Sequence, residues 1–246
     1  MLESLFEQIG PWVREGLSTL DIENAILMML ATRNVESVFM GYLPDGHKTP
    51  YEHASCISIN NEVIHGIPSK DRKLQIGDVV KIDVGFKDST GLIYDGAESF
   101  IVPDLSIKDL PPVPPHDFVP GSSRTSRMLL KDTRRALEKG IEAAKAGNTT
   151  YTITAAIEAV AKESGLFVVE GYGGHGVGEK LHEPPFIANR AADIKGEAIK
   201  LTSGMRLAIE PMFATNSGKT TVDKNGWTVK VATGLAAHFE RTIVVP

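Results

Sequence analysis

A seven-residue pattern, Gly-x-x-Thr-x-x-Ile, occurs twice in this chain, at 16–22 and at 147–153. Each copy opens an apolar series at helical spacing: Ile22, Ala25, Ile26, Met29 and Leu30 in the first, Ile153, Ala156, Ile157, Val160 and Ala161 in the second. Ser18 or Thr19 is placed to cap the first helix, with Asp21 and Glu23 in its opening turn. A short amphipathic piece (Leu2, Leu5, Phe6, Ile9) precedes the first copy and breaks at Gly10-Pro11. A longer helical run, Leu129 to Lys145, precedes the second. Further on, Gly41-Tyr42 matches Gly171-Tyr172, and Gly77 to Asp83 matches Gly204 to Glu210. Both halves close on an apolar strand ending in proline, at Pro103 and Pro246. Matches in one order over this length exceed any solenoid unit. They predict a duplicated helix-plus-sheet unit, about residues 1–104 and 125–246, with a pseudo-twofold axis where equivalent acids meet.

Between the halves, Leu105 to Arg124 carries Pro111, Pro112, Pro114, Pro115 and Pro120. It reads as an extended connector, because proline fixes φ and donates no hydrogen bond. The whole of 1–246 reads as a single domain, since 246 residues at 42% hydrophobic supply ample core.

Within the first half, Leu74 to Pro103 reads as a hairpin. Val79 to Phe86 and Leu92 to Val102 are strands, and Lys87 to Gly91 is the turn. Each strand carries an aspartate among apolar residues, Asp83 and Asp95. A buried carboxylate is costly, and two of them side by side repel, unless a cation neutralises both. For either residue alone, a turn cap or a salt bridge is an equal alternative. Glu210 lies in an otherwise apolar strand, and Glu240 leads into another; taken alone, Glu240 reads as a solvent-facing edge residue.

Composition narrows the rest. A net charge of −5 gives no sign of a nucleic-acid binder. The single cysteine, Cys56, excludes an intramolecular disulfide and suits a reducing compartment. No apolar run is long enough to cross a bilayer, and the acidic start lacks a signal peptide's pattern. These features predict a soluble, cytoplasmic protein, taken as a monomer.

Among the histidines, His47, His53 and His116 fall in polar or proline-rich loops and read as solvated. His238 reads as structural. His175 stands in Gly-Tyr-Gly-Gly-His-Gly-Val-Gly, where glycines permit close approach of backbone or ligand. That run lacks the Lys-Ser/Thr of a phosphate loop, and no Gly-x-Gly-x-x-Gly runs into a helix. Two Asp, two Glu and one His suit divalent metals of intermediate hardness: Mn, Co, Fe or Zn. Four negative charges balance two such ions, which at roughly 3.5–4 Å apart clamp a tetrahedral intermediate.

The segments His65-Gly-Ile-Pro68, Lys81-Ile-Asp-Val84, Gly173 to Gly178 with His182-Glu-Pro, Ala208-Ile-Glu-Pro-Met212 and Phe239 to Val245 resemble type I methionine aminopeptidase. The resemblance covers about residues 10 to 246. It implies the α+β pita-bread fold and removal of N-terminal methionine from nascent polypeptides or peptides. It also implies that Asp95 and Glu240 bridge two divalent metals, Asp83 completes one site, and His175 with Glu210 completes the other. Glu210 would shuttle the proton of the attacking water. His182 would contact the scissile carbonyl or the tetrahedral intermediate, and His65 the leaving amide. Tyr42, Cys56, Leu181 and Trp227 would line the methionine pocket.

The chain departs from the family in several places. The first helix is short, residues 43 to 53 are long, and Asp83 and Asp95 stand one residue further apart. Leu181 replaces a common aromatic, and Arg241 stands where a histidine often follows the bridging glutamate. The proline-rich connector is also atypical. The alternatives are a proline-directed (Xaa-Pro) peptidase of the same fold and a catalytically silent peptide-binding protein. Transient ribosome contact fits the first reading, and neither membrane nor nucleic acid enters as a partner.

Overall fold

The computed structural model describes residues 1–44, 46–106 and 119–246. The readings of His116, Pro111, Pro112, Pro114 and Pro115 lie outside these residues.

Helices α1 (Leu2–Ile9) and α2 (Thr19–Thr32) belong to the first half, α3 (Arg124–Ala143) and α4 (Thr150–Ser164) to the second. The duplicated pattern is a start signal for α2 and α4. Gly16 and Gly147 both take positive φ (82° and 93°), a conformation that a Cβ opposes. Ser18 then caps α2: its hydroxyl accepts from Asp21 N, and the Asp21 carboxylate accepts from Ser18 N. Thr149 and Thr152 form the matching box on α4. Each cap residue bridges to a lysine further along, Ser18 to Lys73 and Thr149 to Lys200. Such a box typically contributes about 1 kcal/mol.

Helix α3 begins at Arg124, capped by Ser123, rather than at Leu129, and ends at Ala143. Its first turn is polar, so apolar spacing alone misses it. By contrast α1 has 8 residues against the 20 of α3.

An eight-stranded sheet holds the two halves together. The hairpin forms as Val79–Lys87 and Ile93–Ile101, with Ser55–Ile59 added outside it. The second half supplies Gly173–Gly176, Arg206–Ile209 and Glu240–Val244. The two sets join where Glu240–Val244 pairs antiparallel with Ile93–Ile101, at Glu240↔Ala97 and Arg241↔Gly96. The strand order is therefore mirrored about this seam, as a pseudo-twofold duplication requires.

Strand alternation sorts the side chains. Val80, Ile82, Val84 and Phe86 pack against Leu5, Phe6, Ile9, Ile22, Ile26 and Leu30 of α1 and α2. Leu207 and Ile209 pack against Leu129, Leu137, Ile153 and Ile157 of α3 and α4. Each such side chain gains roughly 1.5–3 kcal/mol by burial. Asp83 and Glu210 alternate with these residues and project from the opposite face.

On the helix side, Glu98 holds Arg134 of α3 and Arg241. The Arg241 guanidinium also donates to the carbonyls of Ala97 and Glu240. Arg241 thus fastens the seam from behind, which explains how the chain accommodates arginine there. Among the described residues no helix is long and apolar enough to cross a membrane.

Candidate metal centre and pocket

Asp83 and Asp95 lie on the same face of the hairpin but diagonally. Asp83 sits opposite Ala97 and Asp95 opposite Gly85. The expectation of directly paired aspartates is corrected to that extent; the two-residue offset leaves room between the carboxylates. Glu240 enters across the seam beside Ala97. Glu210 follows the end of Arg206–Ile209, and His175 lies opposite Ala208 on the next strand.

The His175 Nε2 is 3.7 Å from Asp95 Oδ2, 3.5 Å from Glu210 Oε1 and 4.0 Å from Glu240 Oε1. Its Nδ1 lies 3.0 Å from the Gly176 carbonyl, which can only accept. Nδ1 therefore carries the proton, and the Nε2 lone pair faces the carboxylates. The flanking glycines serve the backbone: a Cβ on Gly174 would lie 2.2 Å from Ala208 O, and one on Gly176 2.3 Å from Pro184 O. Close strand approach, not ligand access, explains this glycine run.

These acids border a cavity of about 260 Å³. Tyr42, Cys56, His65, Leu181, His182 and Trp227 all line it, so the structure brings every candidate residue to one place. The Tyr42 hydroxyl meets His182 Nδ1 at 2.7 Å, and the His182 ring lies edge-on to His175 at 4.4 Å. His65 sits at φ 57°, in the left-handed region, and its carbonyl accepts from Thr228 Oγ1.

Two histidine readings change, and His47, exposed as expected, also borders the site. His47 lines the cavity and packs on Trp227, with ring centres 4.2 Å apart. His53 is half-buried and lies 3.7 Å from Glu23. His238 is buried among the acids, 3.5 Å from Glu210 and 3.7 Å from Glu240. The signal for His238 was present: it stands two residues before Glu240 in extended chain, hence on the same face. Phe39, Pro44, Tyr51 and Ile64 complete the lining and carried no comparable signal.

The model of Metallopeptidase family M24 matches residues 1–246. The chain belongs to this family. It is 38% identical to a methionine aminopeptidase of Aquifex aeolicus over 95% of its own length and 84% of that relative's. Among solved structures, the methionine aminopeptidase of Thermotoga maritima superposes with a TM-score of 0.84. That structure is 31% identical, over 98% of this chain and 87% of that one. An Xaa-Pro dipeptidase from Bacillus anthracis, at 18% identity and a TM-score of 0.66, shares the fold alone. This chain spans 54% of its length. The α+β pita-bread fold expected from the sequence is the one these relatives share.

Membership of M24 brings divalent-metal use, and the donors present fit it. Asp83 Oδ1, Asp95 Oδ1, Glu240 Oε1 and His238 Nε2 are buried without a hydrogen-bond partner. Donor atoms of Asp95, His175 and His182, of Asp83, His238 and Glu240, and of His175, Glu210 and Glu240 lie within 4.8 Å of one another in each set. Buried polar atoms left unsatisfied cost about 1–3 kcal/mol each, and a cation answers several at once.

Burial pushes the carboxyl of Asp95 up to about 7. Burial and mutual repulsion push Asp83, Glu210 and Glu240 well above the carboxylate range. Burial lowers His175, and takes His238 to about 3 and His65 to about 4. The imidazoles are therefore neutral, the form that a metal accepts.

A pH dependence follows. In the absence of metal, native Asp95 keeps its proton up to about 7, against an ordinary 3.8. The native state then binds more protons than the unfolded chain, and stability falls as pH rises through that value. The depressed histidines oppose this until about pH 7.5, above which the unfolded imidazoles are neutral too, and the carboxyls of Asp83, Glu210 and Glu240, held well above the ordinary range, outweigh them. Metal-stripped protein is expected to melt lower at about pH 8 than at about pH 6.5. A divalent ion should raise the melting temperature more at the higher pH, where fewer protons compete. A stripped protein that gains stability over this interval would contradict the assignment.

Proposed function

We propose that this M24 chain removes the N-terminal methionine of new proteins and peptides, using two divalent ions held by Asp83, Asp95, His175, Glu210 and Glu240. One observation carries the reading: carboxylates from both halves converge with an imidazole on one wall of a small, largely apolar cavity. The half-repeats, about 1–104 and 125–246, would act as one catalytic domain, with Asp95 and Glu240 on either side of the seam among the residues that would hold the ions. Mn, Co, Fe and Zn all suit this mixed donor set. Bound there, the ions supply Lewis acidity that ionises water near neutral pH and polarises the scissile carbonyl.

The chain's own groups do the rest. Glu210, on the cavity wall among the proposed ligands, would take the proton of the attacking water and return it to the leaving amine. With the Tyr42 hydroxyl donating to His182 Nδ1, Nε2–H would be free to donate to the developing oxyanion. His65 holds the leaving amide. Tyr42, Cys56, Leu181 and Trp227 exclude water from an unbranched thioether, which an apolar pocket favours. With all donors in one chain, the site needs no second copy. Work on nascent chains implies the cytoplasm and transient proximity to ribosomes.

Peptide turnover, with and without a chelator, tests the reading. Met-Ala-Ser should release methionine in a metal-dependent way, while Ala-Pro peptides stay intact. Cleavage restricted to the Ala-Pro series would instead indicate a proline-directed peptidase. No turnover with any of the four metals would indicate a silent binding protein.

A further inference from the structure

Lys81 is 1% exposed. An amine is rarely buried so completely without a carboxylate beside it. Here Nζ donates instead to two main-chain carbonyls, Asn60 O at 2.9 Å and Val79 O at 3.2 Å. Two N–H donors suffice for this, so the clamp does not depend on the charge of the amine.

The two carbonyls lie at a junction of three chain segments. Asn60, at φ 54°, turns the chain from strand Ser55–Ile59 into Glu62–Ile64, which His65 follows directly. The Asn60 carbonyl also accepts from Ala236 N at 2.9 Å. Ala236 begins strand Ala236–His238, which ends at His238. Val79, the other anchor, begins the strand that carries Asp83. One amine thus ties together the starts of the segments that deliver His65 and His238 to the cavity.

We propose that Lys81 is a positioning residue, a clamp through Asn60 that sets His65 and His238 on the cavity wall. This rests on the peptidase reading for its kinetic consequence but not for its geometric one. His65 holds the leaving amide, an interaction that counts in the transition state. A displacement of about 1 Å at such a group costs up to about a hundredfold in rate.

Lys81→Met tests the clamp. It keeps the length of the side chain and removes the donor. Both carbonyls retain a main-chain donor, Ala236 N for Asn60 O and Asn60 N for Val79 O, so the variant should fold. The expected result is a kcat on Met-Ala-Ser lowered by about ten- to a hundredfold, with KM and metal content unchanged. Combined with His65→Ala, the loss should not exceed that of His65→Ala alone, since coupled residues are non-additive. Should Lys81→Met not fold, Lys81→Ala with added methylamine serves, and the amine should recover part of kcat. In zinc-loaded protein, the histidine side-chain 15N signals of His65 and His238 should both move on substitution. An unchanged kcat, a fully additive double variant, or unmoved signals would overturn the proposal. If the parent chain cleaves no Met-peptide, the peptidase reading falls, and the histidine signals still judge the clamp.

Discussion

Asp95→Asn is expected to abolish turnover of Met-peptides while making the metal-free protein more stable. The two effects share one cause. Asp95 supplies charge beside His175 and is grouped with His175 and His182 as a donor. On the proposed reading, its loss would remove a ligand from the ions. The loss in kcat/KM should exceed the roughly 10–100-fold seen when an outer hydrogen-bond partner of a metal ligand is removed. Yet in the stripped protein the same charge raises the carboxyls of Asp83, Glu210 and Glu240. An amide there relieves the repulsion, so the stripped variant should melt above the stripped parent at about pH 8. Glu240→Gln should behave alike, because it stands on the other side of the seam. Turnover, metal content and melting of both variants check this. A variant that remains active would contradict the sharing of that carboxylate between ions.

His182→Ala should leave metal content intact and lower kcat by about 10²–10³-fold, the usual effect of deleting one oxyanion donor. The distinction from the acids is geometric. His182 opens to the cavity and is held by Tyr42, while His175 points its lone pair into the carboxylates. KM should change little, since the bond forms fully at the tetrahedral stage. Loss of metal on this substitution would move His182 among the ligands, consistent with its Nε2 or Nδ1 lying near Asp95 and His175.

What was legible in the sequence was what local chemistry dictates. Gly-x-x-Thr-x-x-Ile ahead of an apolar series at helical spacing marks a helix start, so its two copies at 16–22 and 147–153 revealed the duplication. Asp83 and Asp95 were conspicuous because ionisable residues in apolar strands are costly. The misreadings were of another kind. His53 stands in a polar stretch, and its partner, Glu23, is remote in sequence. His238 was outweighed by its bland surroundings, although its spacing to Glu240 carried the signal. The start of α3 was hidden by a polar first turn, which only the Ser123 cap betrays. Reading the family motifs supplied roles that spacing alone left open.

The seam also bears on how the molecule matures. Asp83 and Asp95 come from one side, His175, Glu210 and Glu240 from the other, and the joining ladder is short. An incompletely folded chain therefore presents a partial donor set, with correspondingly poor retention of ions. Ions that bind only the docked arrangement would stabilise it over partly folded forms. On that reading, hydrolytic power would arise only once the two halves have joined.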